Sequence, residues 1–172
     1  MITWILGLSG SGKTTIGREV FKAQKYFAQN TVLIDGDEIR EVFKHNRGNA
    51  PYSTEGRRQN AERIQALCKW LDNQGINVVC CILSIFEESR EWNRENYSDY
   101  FEVFVDTPMD VLKTRRDLYI KAERGETSNV VGVDIPFPPP KSPDLVIDGS
   151  GNGNTPEQNA ALILEHIKER LV

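Results

Sequence analysis

A glycine-rich loop lies near the start of the chain, where GLSGSGKTT occupies residues 7–15. The loop has one glycine, four further residues and then Gly-Lys-Thr, a spacing that lets backbone N–H groups converge on phosphate oxygens. The lysine adds a positive charge at the β- and γ-phosphates, and the first threonine offers a hydroxyl to Mg²⁺. The alternative is a glycine turn with an incidental lysine. The pattern predicts a nucleoside triphosphate site, with contacts from Gly7, Ser9, Gly10, Ser11, Gly12, Lys13, Thr14 and Thr15, and with Thr14 as the metal ligand.

Two carboxylates follow a second apolar run, in the stretch TVLIDGDEIR at residues 31–40. Asp35 and Asp37 stand at the carboxyl end of the predicted strand, and Gly36 lets the backbone turn between them. One carboxylate can polarise an acceptor hydroxyl while the other helps to hold Mg²⁺ waters or the substrate. The alternative is that Asp37 only caps the helix after it. We predict that Lys13, Asp35 and Asp37 are catalytic, and we leave open which aspartate is the base.

A triphosphate site alone does not distinguish a switch, a motor and a kinase. The guanine signature NKxD of GTPases is absent from the sequence, and no second domain is available for a motor to move. These observations favour a small-molecule kinase, whose acceptor pocket faces the γ-phosphate.

The elements that must position these residues alternate between apolar runs and helical patterns. This alternation predicts an α/β domain with a five-stranded parallel sheet and helices on both faces. Ligands of such sheets lie beyond the carboxyl ends of the strands. The predicted strands are 2–8, 31–34, 77–83, 101–105 and 145–147, and the predicted helices are 13–28, 38–45, 54–74, 87–96, 108–119 and 156–171. Thr107 is the predicted N-cap of the fifth helix, with Pro108 at its first position.

Composition narrows the classes of partner. At 172 residues the chain fits a single domain, and its formal net charge of −4 offers no attraction for nucleic acid or for an anionic membrane. No apolar run approaches the roughly 18 residues of a membrane span, so we expect a cytoplasmic protein. Cys68, Cys80 and Cys81 have no metal-type spacing, and we expect them to be buried apolar residues.

Several motifs in order resemble the adenylyl-sulfate kinase family. They are GLSGSGKTT, LIDGDEIR, YSTEGRRQNAERI, FEVFVDTPMDVL, LYIKAERGE and VGVDIPF, and they extend from about Met1 to Ile147. The resemblance implies a P-loop NTPase fold, a small nucleotide substrate and transfer of the γ-phosphate of MgATP to the ribose 3′-hydroxyl of adenosine 5′-phosphosulfate. A homodimer is possible, since such relatives are often dimers.

The resemblance also implies which residues bind the acceptor nucleotide. Arg57 and Asn60 lie three apart on a predicted helix and share a face, where a guanidinium and an amide can reach phosphate and ribose oxygens. Tyr52 matches an aromatic residue that stacks on the base, although covering the core is an alternative role. The full predicted substrate set is Asp37, Arg40, Tyr52, Arg57, Asn60, Ser84, Ile85 and Lys121. Arg63 extends the same helix face and has a solvated polar stripe as its alternative.

Three departures from the family pattern fall on the acceptor side. Gly56 precedes Arg57 where the family usually has an aspartate, so a carboxylate that could orient the arginine is missing. RRD at 115–117 runs directly into Leu118 and Tyr119, so an acceptor-side lysine is lost unless Arg116 replaces it. Val130 stands near the position of a phenylalanine that completes an aromatic clamp on the base, and a one-sided clamp stacks less strongly.

These departures leave three hypotheses open. The first is an adenylyl-sulfate kinase, and the second is a 3′-kinase of another activated nucleotide, such as cytidine diphosphoramidate. The third is a nucleotide-binding regulator or structural subunit without turnover, against which the Asp35 and Asp37 pair argues.

Residues 115–134 are the predicted lid over the triphosphate. Arg115 and Arg116 would neutralise phosphate charge there, with Lys121 and Arg124 further along the segment. The alternative is that these are exposed helix charges without a catalytic role.

Overall fold

Five parallel strands form a single sheet in the computed structural model, which describes residues 1–171. The strands are β1 (Ile2–Leu6), β2 (Thr31–Asp35), β3 (Asn77–Ile82), β4 (Tyr100–Asp106) and β5 (Leu145–Asp148). Their order is β2-β3-β1-β4-β5, and every neighbouring pair is parallel. The predicted fold class is confirmed, and each strand lies within two residues of its predicted bounds.

Helices connect these strands. They are α1 (Lys13–Phe27), α2 (Gly36–Val42), α3 (Thr54–Asp72), α4 (Glu87–Asn96), α5 (Met109–Arg115), α6 (Asp117–Glu123) and α7 (Pro156–Ile167), with short 3₁₀ helices at Ala50–Tyr52 and Lys168–Arg170. The prediction for 87–96 is confirmed in full. The predicted helix 38–45 was wrong at both ends, because α2 begins at Gly36 and ends at Val42.

The single helix predicted over 108–119 was also wrong. Arg116 adopts extended backbone angles, φ −143° and ψ 109°, and separates α5 from α6. Thr107 does not cap α5, because Pro108 holds the cap position and the Thr107 hydroxyl donates to the backbone carbonyl of Ser11 over 3.4 Å. A contact with the glycine-rich loop therefore replaces the expected local cap.

The two faces of the sheet are covered by different helices. Cys81 packs on one face in a cluster with Val20 of α1 and Ile163 of α7. Cys80, the next residue along β3, packs on the other face with Ile64 of α3. This alternation confirms helices on both faces, and all three cysteines are buried as predicted.

The centre of the sheet determines where a ligand can bind. β1 lies between β3 and β4; the chain passes from β1 to β2 on one side and later crosses from β3 to β4 on the other, so a crevice opens at the carboxyl end of β1. The glycine-rich loop begins at that point. None of the helices within residues 1–171 has the length and apolar character needed to cross a bilayer.

Candidate active site

The glycine-rich loop joins β1 to α1 in the context that its sequence predicts. Lys13 is the first residue of α1, and Gly12 caps the helix in a left-handed conformation with φ 98°. No side chain bonds to the free N–H groups at this helix end. These N–H groups and the helix dipole favour an anion beyond the loop.

A cavity of about 370 Å³ lies against this loop. Its lining includes eight of the ten residues predicted to contact the triphosphate, and also Asp37: the eight are Ser9, Gly10, Gly12, Lys13, Thr14, Thr15, Arg115 and Arg116. We call it the donor cavity. The loop and the segment after α5 thus meet around one space although they are about 100 residues apart in sequence.

Gly7 and Ser11 are not in the lining of the donor cavity. A Cβ added to Gly7 would lie 2.8 Å from the carbonyl oxygen of Val105, so Gly7 permits a close approach to β4. Ser11 is buried, and its N–H donates to the carbonyl of Leu8 over 3.1 Å. Their predicted role in binding phosphate stays a prediction, and the structure assigns both of them to loop packing.

Lys13 lines the donor cavity and also lines a second cavity beside it, which is described below. Its Nζ donates to the carbonyl of Leu8 over 3.3 Å. Burial lowers the pKa of the Lys13 ammonium, and the carboxylates of Asp37 and Asp35 oppose that shift. A cation that is poorly solvated in this way interacts strongly with an incoming anion.

The two aspartates have different surroundings. One carboxylate oxygen of Asp35 accepts a hydrogen bond from the Thr14 hydroxyl at 2.7 Å, and the other accepts from the backbone N–H of Asp37 at 2.9 Å. Asp35 is therefore the N-cap of α2, and the alternative that Asp37 is the cap was wrong. The Asp37 carboxylate is exposed and lines both cavities.

A second cavity of about 230 Å³ adjoins the first and is called the acceptor cavity. Ser9, Lys13, Thr14 and Asp37 line both cavities. The acceptor cavity also contains the predicted substrate residues Arg40, Tyr52, Arg57 and Asn60. A group held in one cavity can thus react with a group held in the other beside Lys13 and Asp37.

Two arginines converge on Tyr52 at the wall of the acceptor cavity. The guanidinium carbons of Arg40 and Arg57 lie 5.1 Å and 5.8 Å from the centre of the Tyr52 ring. Burial lowers the pKa of Arg40, and burial together with the charge of Arg40 lowers the pKa of Arg57. Backbone carbonyls orient both side chains, since Arg40 donates to Pro51 over 2.7 Å and Arg57 to Tyr52 over 2.8 Å. Two adjacent cations with few counter-charges form a favourable site for a multiply charged anion.

Asn60, Ser84 and Ile85 lie near the inner wall of the acceptor cavity. The Asn60 amide donates to the carbonyl of Gly36 over 3.3 Å, and its buried oxygen has no protein partner within residues 1–171. Ser84 and Ile85 do not line the acceptor cavity and instead line a pocket of about 30 Å³ that shares Asn60 and both arginines with it. The Ser84 hydroxyl accepts a hydrogen bond from Trp4, so its side chain belongs to the core.

The structure places Lys121 apart from the other predicted substrate residues. It is exposed on α6 and is in the lining of neither cavity. Arg63 is also outside them, 5.4 Å from the Phe43 ring, in line with its alternative role as a surface residue. Conversely, Tyr119 and Val131 line the acceptor cavity and were not predicted as site residues. Tyr119 belongs to the motif LYIKAERGE and Val131 to the motif VGVDIPF, so both motifs contained a signal.

The predicted lid segment contacts the glycine-rich loop. Arg115 donates to the carbonyls of Gly10 and Ser150 over 3.3 Å and 3.0 Å. The buried Tyr119 donates from its hydroxyl to the carbonyl of Ser9 over 2.7 Å. Movement of the segment stays a prediction, but the contacts place it over the donor cavity.

Two of the sequence departures have physical explanations. A Cβ at Gly56 would lie 2.2 Å from the carbonyl oxygen of Ala50, so α3 can pack on the 3₁₀ helix only without a side chain there. Val130 is buried and lines the acceptor cavity together with Tyr52 and Tyr119, and its small side chain adds no further aromatic ring to that lining.

The donor set around Thr14 suits Mg²⁺. A hydroxyl and a carboxylate oxygen 2.7 Å apart are hard ligands of the kind that Mg²⁺ accepts, and this ion usually keeps several waters. Residues 1–171 hold no group of three or more His, Cys, Asp or Glu side chains arranged for a metal ion. The site therefore fits an ion that arrives with a nucleotide rather than one held by the protein alone.

Comparisons with known proteins agree with this geometry. The family model for adenylylsulphate kinase matches residues 1–148. Cytidine diphosphoramidate kinase of Campylobacter jejuni is 37% identical over 168 residues, which are 96% of this chain and 95% of that protein. Adenylyl-sulfate kinase of Halothermothrix orenii is 33% identical over 97% of this chain and 89% of that protein.

A solved structure supports the same conclusion. The APS kinase of Mycobacterium tuberculosis, in complex with AMPPNP and APS, superposes with a TM-score of 0.83 at 28% identity, covering 97% of this chain and 96% of that chain. The two adjoining cavities, the glycine-rich loop and these matches together indicate one family. The chain belongs to the adenylylsulphate kinase family, whose members are phosphotransferases that act on a hydroxyl group.

Proposed function

We propose that the protein transfers the γ-phosphate of ATP to the ribose 3′-hydroxyl of an activated nucleotide. The observation that carries the proposal is the shared lining of the two cavities. Lys13 and Asp37 both stand where a phosphate group in the donor cavity meets a hydroxyl in the acceptor cavity. Phosphoryl transfer depends mainly on positioning and charge neutralisation, and this arrangement supplies both.

The donor side is proposed to bind ATP through the glycine-rich loop. N–H groups at the start of α1 and the Lys13 ammonium would contact the phosphates, and Arg115 and Arg116 would neutralise charge from the other side. Thr14 would ligate Mg²⁺, and Asp35 would hold its waters. When bound, the ion reduces the charge repulsion between the phosphates and an attacking oxygen.

Asp37 is the proposed general base. Asp35 already accepts hydrogen bonds from Thr14 and from the Asp37 backbone, whereas the Asp37 carboxylate faces both cavities. In the transfer, the 3′-oxygen forms a bond to the γ-phosphorus while the bond from that phosphorus to the β,γ-bridging oxygen breaks. The hydroxyl proton passes to Asp37, and ADP leaves.

The acceptor cavity is proposed to hold an activated nucleotide by its charged 5′ end and its base. Arg40 and Arg57 form the cationic part of the cavity, while the Asn60 amide oxygen can accept from a ribose hydroxyl. Tyr52 provides the aromatic ring that would stack on the base, and Tyr119 also lines the cavity. Adenosine 5′-phosphosulfate is the proposed acceptor, because the family model and the Halothermothrix relative carry that activity in their names.

Cytidine diphosphoramidate is the second candidate acceptor. Two observations favour it: the relative from Campylobacter jejuni is 37% identical across nearly the whole chain, and Val130 lines the acceptor cavity near the position where the family pattern has the phenylalanine of the clamp. A purine has a larger stacking surface than a pyrimidine and loses more when one aromatic wall is absent. With this candidate the reaction is still transfer of the γ-phosphate to a ribose 3′-hydroxyl, and only the acceptor nucleotide differs.

Coupled ADP release with a panel of nucleotides tests the proposal. The panel contains adenosine 5′-phosphosulfate, cytidine diphosphoramidate, CDP and AMP, with ATP and Mg²⁺ present in every assay. Turnover with the phosphosulfate supports the first acceptor, and turnover with cytidine compounds alone assigns the second. ATP binding without ADP release for any nucleotide would contradict the proposed function.

We further propose that the enzyme works in the cytoplasm, where ATP is available, and as a homodimer. The fold does not depend on the proposed homodimer. Sedimentation velocity measures it directly, and a single species of 19.5 kDa would contradict it.

A further inference from the structure

Arg57 of the acceptor cavity is held by two backbone carbonyls from different parts of the chain. Its Nε donates to Tyr52 over 2.8 Å, and its Nη2 donates to Asn129 over 2.8 Å. Tyr52 ends a 3₁₀ helix, whereas Asn129 lies 72 positions after Arg57, in the loop that follows α6. The position of the Asn129 carbonyl therefore helps to set the direction of the guanidinium.

The Asn129 carbonyl is in turn fixed by Asp134. One oxygen of the Asp134 carboxylate accepts from the Asn129 N–H and the other from the Val130 N–H, each at 2.5 Å. The Val130 N–H and the Asn129 carbonyl belong to the same planar peptide unit, so a bond to the first orients the second. Asn129 also has φ 63°, a left-handed conformation that a non-glycine residue rarely adopts without such support.

We propose that Asp134 is a positioning residue for the acceptor, which acts on Arg57 through the Asn129 carbonyl. This inference rests on the proposed function, in which Arg57 binds the charged part of the acceptor. It also explains how the arginine is oriented when position 56 carries no carboxylate. Gly56 has no room for a side chain against Ala50, and the loop carbonyl takes over that orienting role.

The position of Asp134 separates this role from direct binding. Asp134 is exposed and lines neither cavity, so it does not touch the acceptor itself. Its bond to the Val130 N–H also holds Val130 against the acceptor cavity, where Val130 packs with Leu112 and Tyr119. The donor cavity contains none of residues 129–134, so we expect the loop to affect acceptor binding more than ATP binding.

Steady-state kinetics of Asp134→Ala test the proposal. Loss of the carboxylate frees the Asn129 carbonyl, and we expect the KM of the acceptor to rise roughly tenfold. The KM of ATP and kcat stay within about twofold, because the donor cavity is unchanged. Asp134→Asn has an intermediate effect, since its amide oxygen can accept only one of the two N–H groups. Glu126→Ala is the matched control, as Glu126 is an exposed acid in the same segment whose side chain forms an ion pair with Arg124.

A double-mutant cycle distinguishes positioning from general destabilisation. In an Arg57→Ala background, Asp134→Ala is expected to have no further effect on the acceptor KM. An undiminished effect in that background would overturn the proposal. Equal losses for ATP and acceptor, together with a lowered melting temperature, would also overturn it, since they would assign Asp134 a purely structural role.

NMR of the Arg57 side chain keeps this test independent of the enzyme assay. The proposal predicts that Asp134→Ala shifts and broadens the Arg57 Nε–H signal in the protein without any nucleotide, while Glu126→Ala leaves it in place. An unchanged signal would overturn the proposal. If the wild-type protein phosphorylated no nucleotide, the proposed function would fail, and the signal would still decide the role of Asp134.

Discussion

On the donor side, one loop supplies most of the lining, whereas on the acceptor side several separate segments contribute between one and four residues each. Residues 9–15 supply most of the donor lining, and their contacts depend on backbone N–H groups and glycine conformations. The acceptor lining combines α2, the 3₁₀ helix, α3, the end of β3, α6 and the loop near Val130 with part of the glycine-rich loop. A loop of this kind tolerates little change, while a wall built from independent segments can change one residue at a time. The comparison explains why the departures at Gly56 and Val130 lie on the acceptor side, whereas Arg115 and Arg116 of the third departure line the donor cavity.

Lys13→Ala removes the charge at the centre of the donor side and is expected to have the largest effect. Turnover should fall at least about 10³-fold, because the ammonium group neutralises charge that develops during transfer. The fold should remain intact, since within residues 1–171 the Nζ makes a single hydrogen bond, to the Leu8 carbonyl. Coupled ADP release and circular dichroism measure the two quantities, and a variant with near-normal turnover would contradict the role of the loop.

Asp37→Asn tests the junction between the two sides. We expect kcat to fall by about 10²- to 10³-fold with little change in the KM of ATP, which is typical for loss of a general base.

Asp35→Ala should behave differently from Asp37→Asn. It removes the N-cap of α2, so the free energy of unfolding should drop by about 1 kcal/mol, and more Mg²⁺ should be needed for half-maximal rate. Identical profiles for the two variants would contradict this division of roles.

Arg115→Ala and Arg116→Ala probe the part of the donor side that comes from outside the loop. Each should lower turnover by roughly 10- to 100-fold, the loss of one charge-assisted contact. Stability should change less, because both side chains are exposed. Urea unfolding provides the comparison, and equal losses of turnover and stability would argue against a lid role.

Gly56→Ala should show how tightly the acceptor side is packed. The added methyl group would lie 2.2 Å from the Ala50 carbonyl, so the 3₁₀ helix must shift, at a cost of about 1–3 kcal/mol in unfolding free energy. Since that helix carries Tyr52 and the Pro51 carbonyl that holds Arg40, the KM of the acceptor should rise more than the KM of ATP. Equal changes in the two KM values would contradict the separation of the two sides.

Lys121→Ala is the variant with the smallest expected effect. The side chain is exposed and lines neither cavity, so kcat and both KM values should stay within about twofold of the wild type. A larger rise in the acceptor KM would show that the segment moves far enough to bring Lys121 to the nucleotide, which would restore the role predicted from the sequence.

The sequence could predict the sheet and the glycine-rich loop because their signals are local. Buried strands of apolar residues and a fixed spacing of Gly, Lys and Thr do not depend on distant contacts. The break at Arg116 and the true cap of α2 could not be predicted in this way. The predicted Thr107 cap of α5 fails because the Thr107 hydroxyl donates to Ser11, 96 positions away. Asp35 and not Asp37 caps α2, and its carboxylate also accepts a hydrogen bond from the Thr14 hydroxyl. The link from Asp134 to Arg57 likewise exists only after the chain has folded.

Because its three thiols are buried, this protein can be labelled at a single introduced cysteine. Cys68, Cys80 and Cys81 are the chain's three cysteines, and burial raises the pKa of Cys81 to about 12, so a maleimide reagent at neutral pH finds no reactive sulfur. A single Lys121→Cys substitution therefore creates one uniquely addressable attachment point on α6. A fluorophore placed there would test directly whether the predicted lid segment moves when a nucleotide is added.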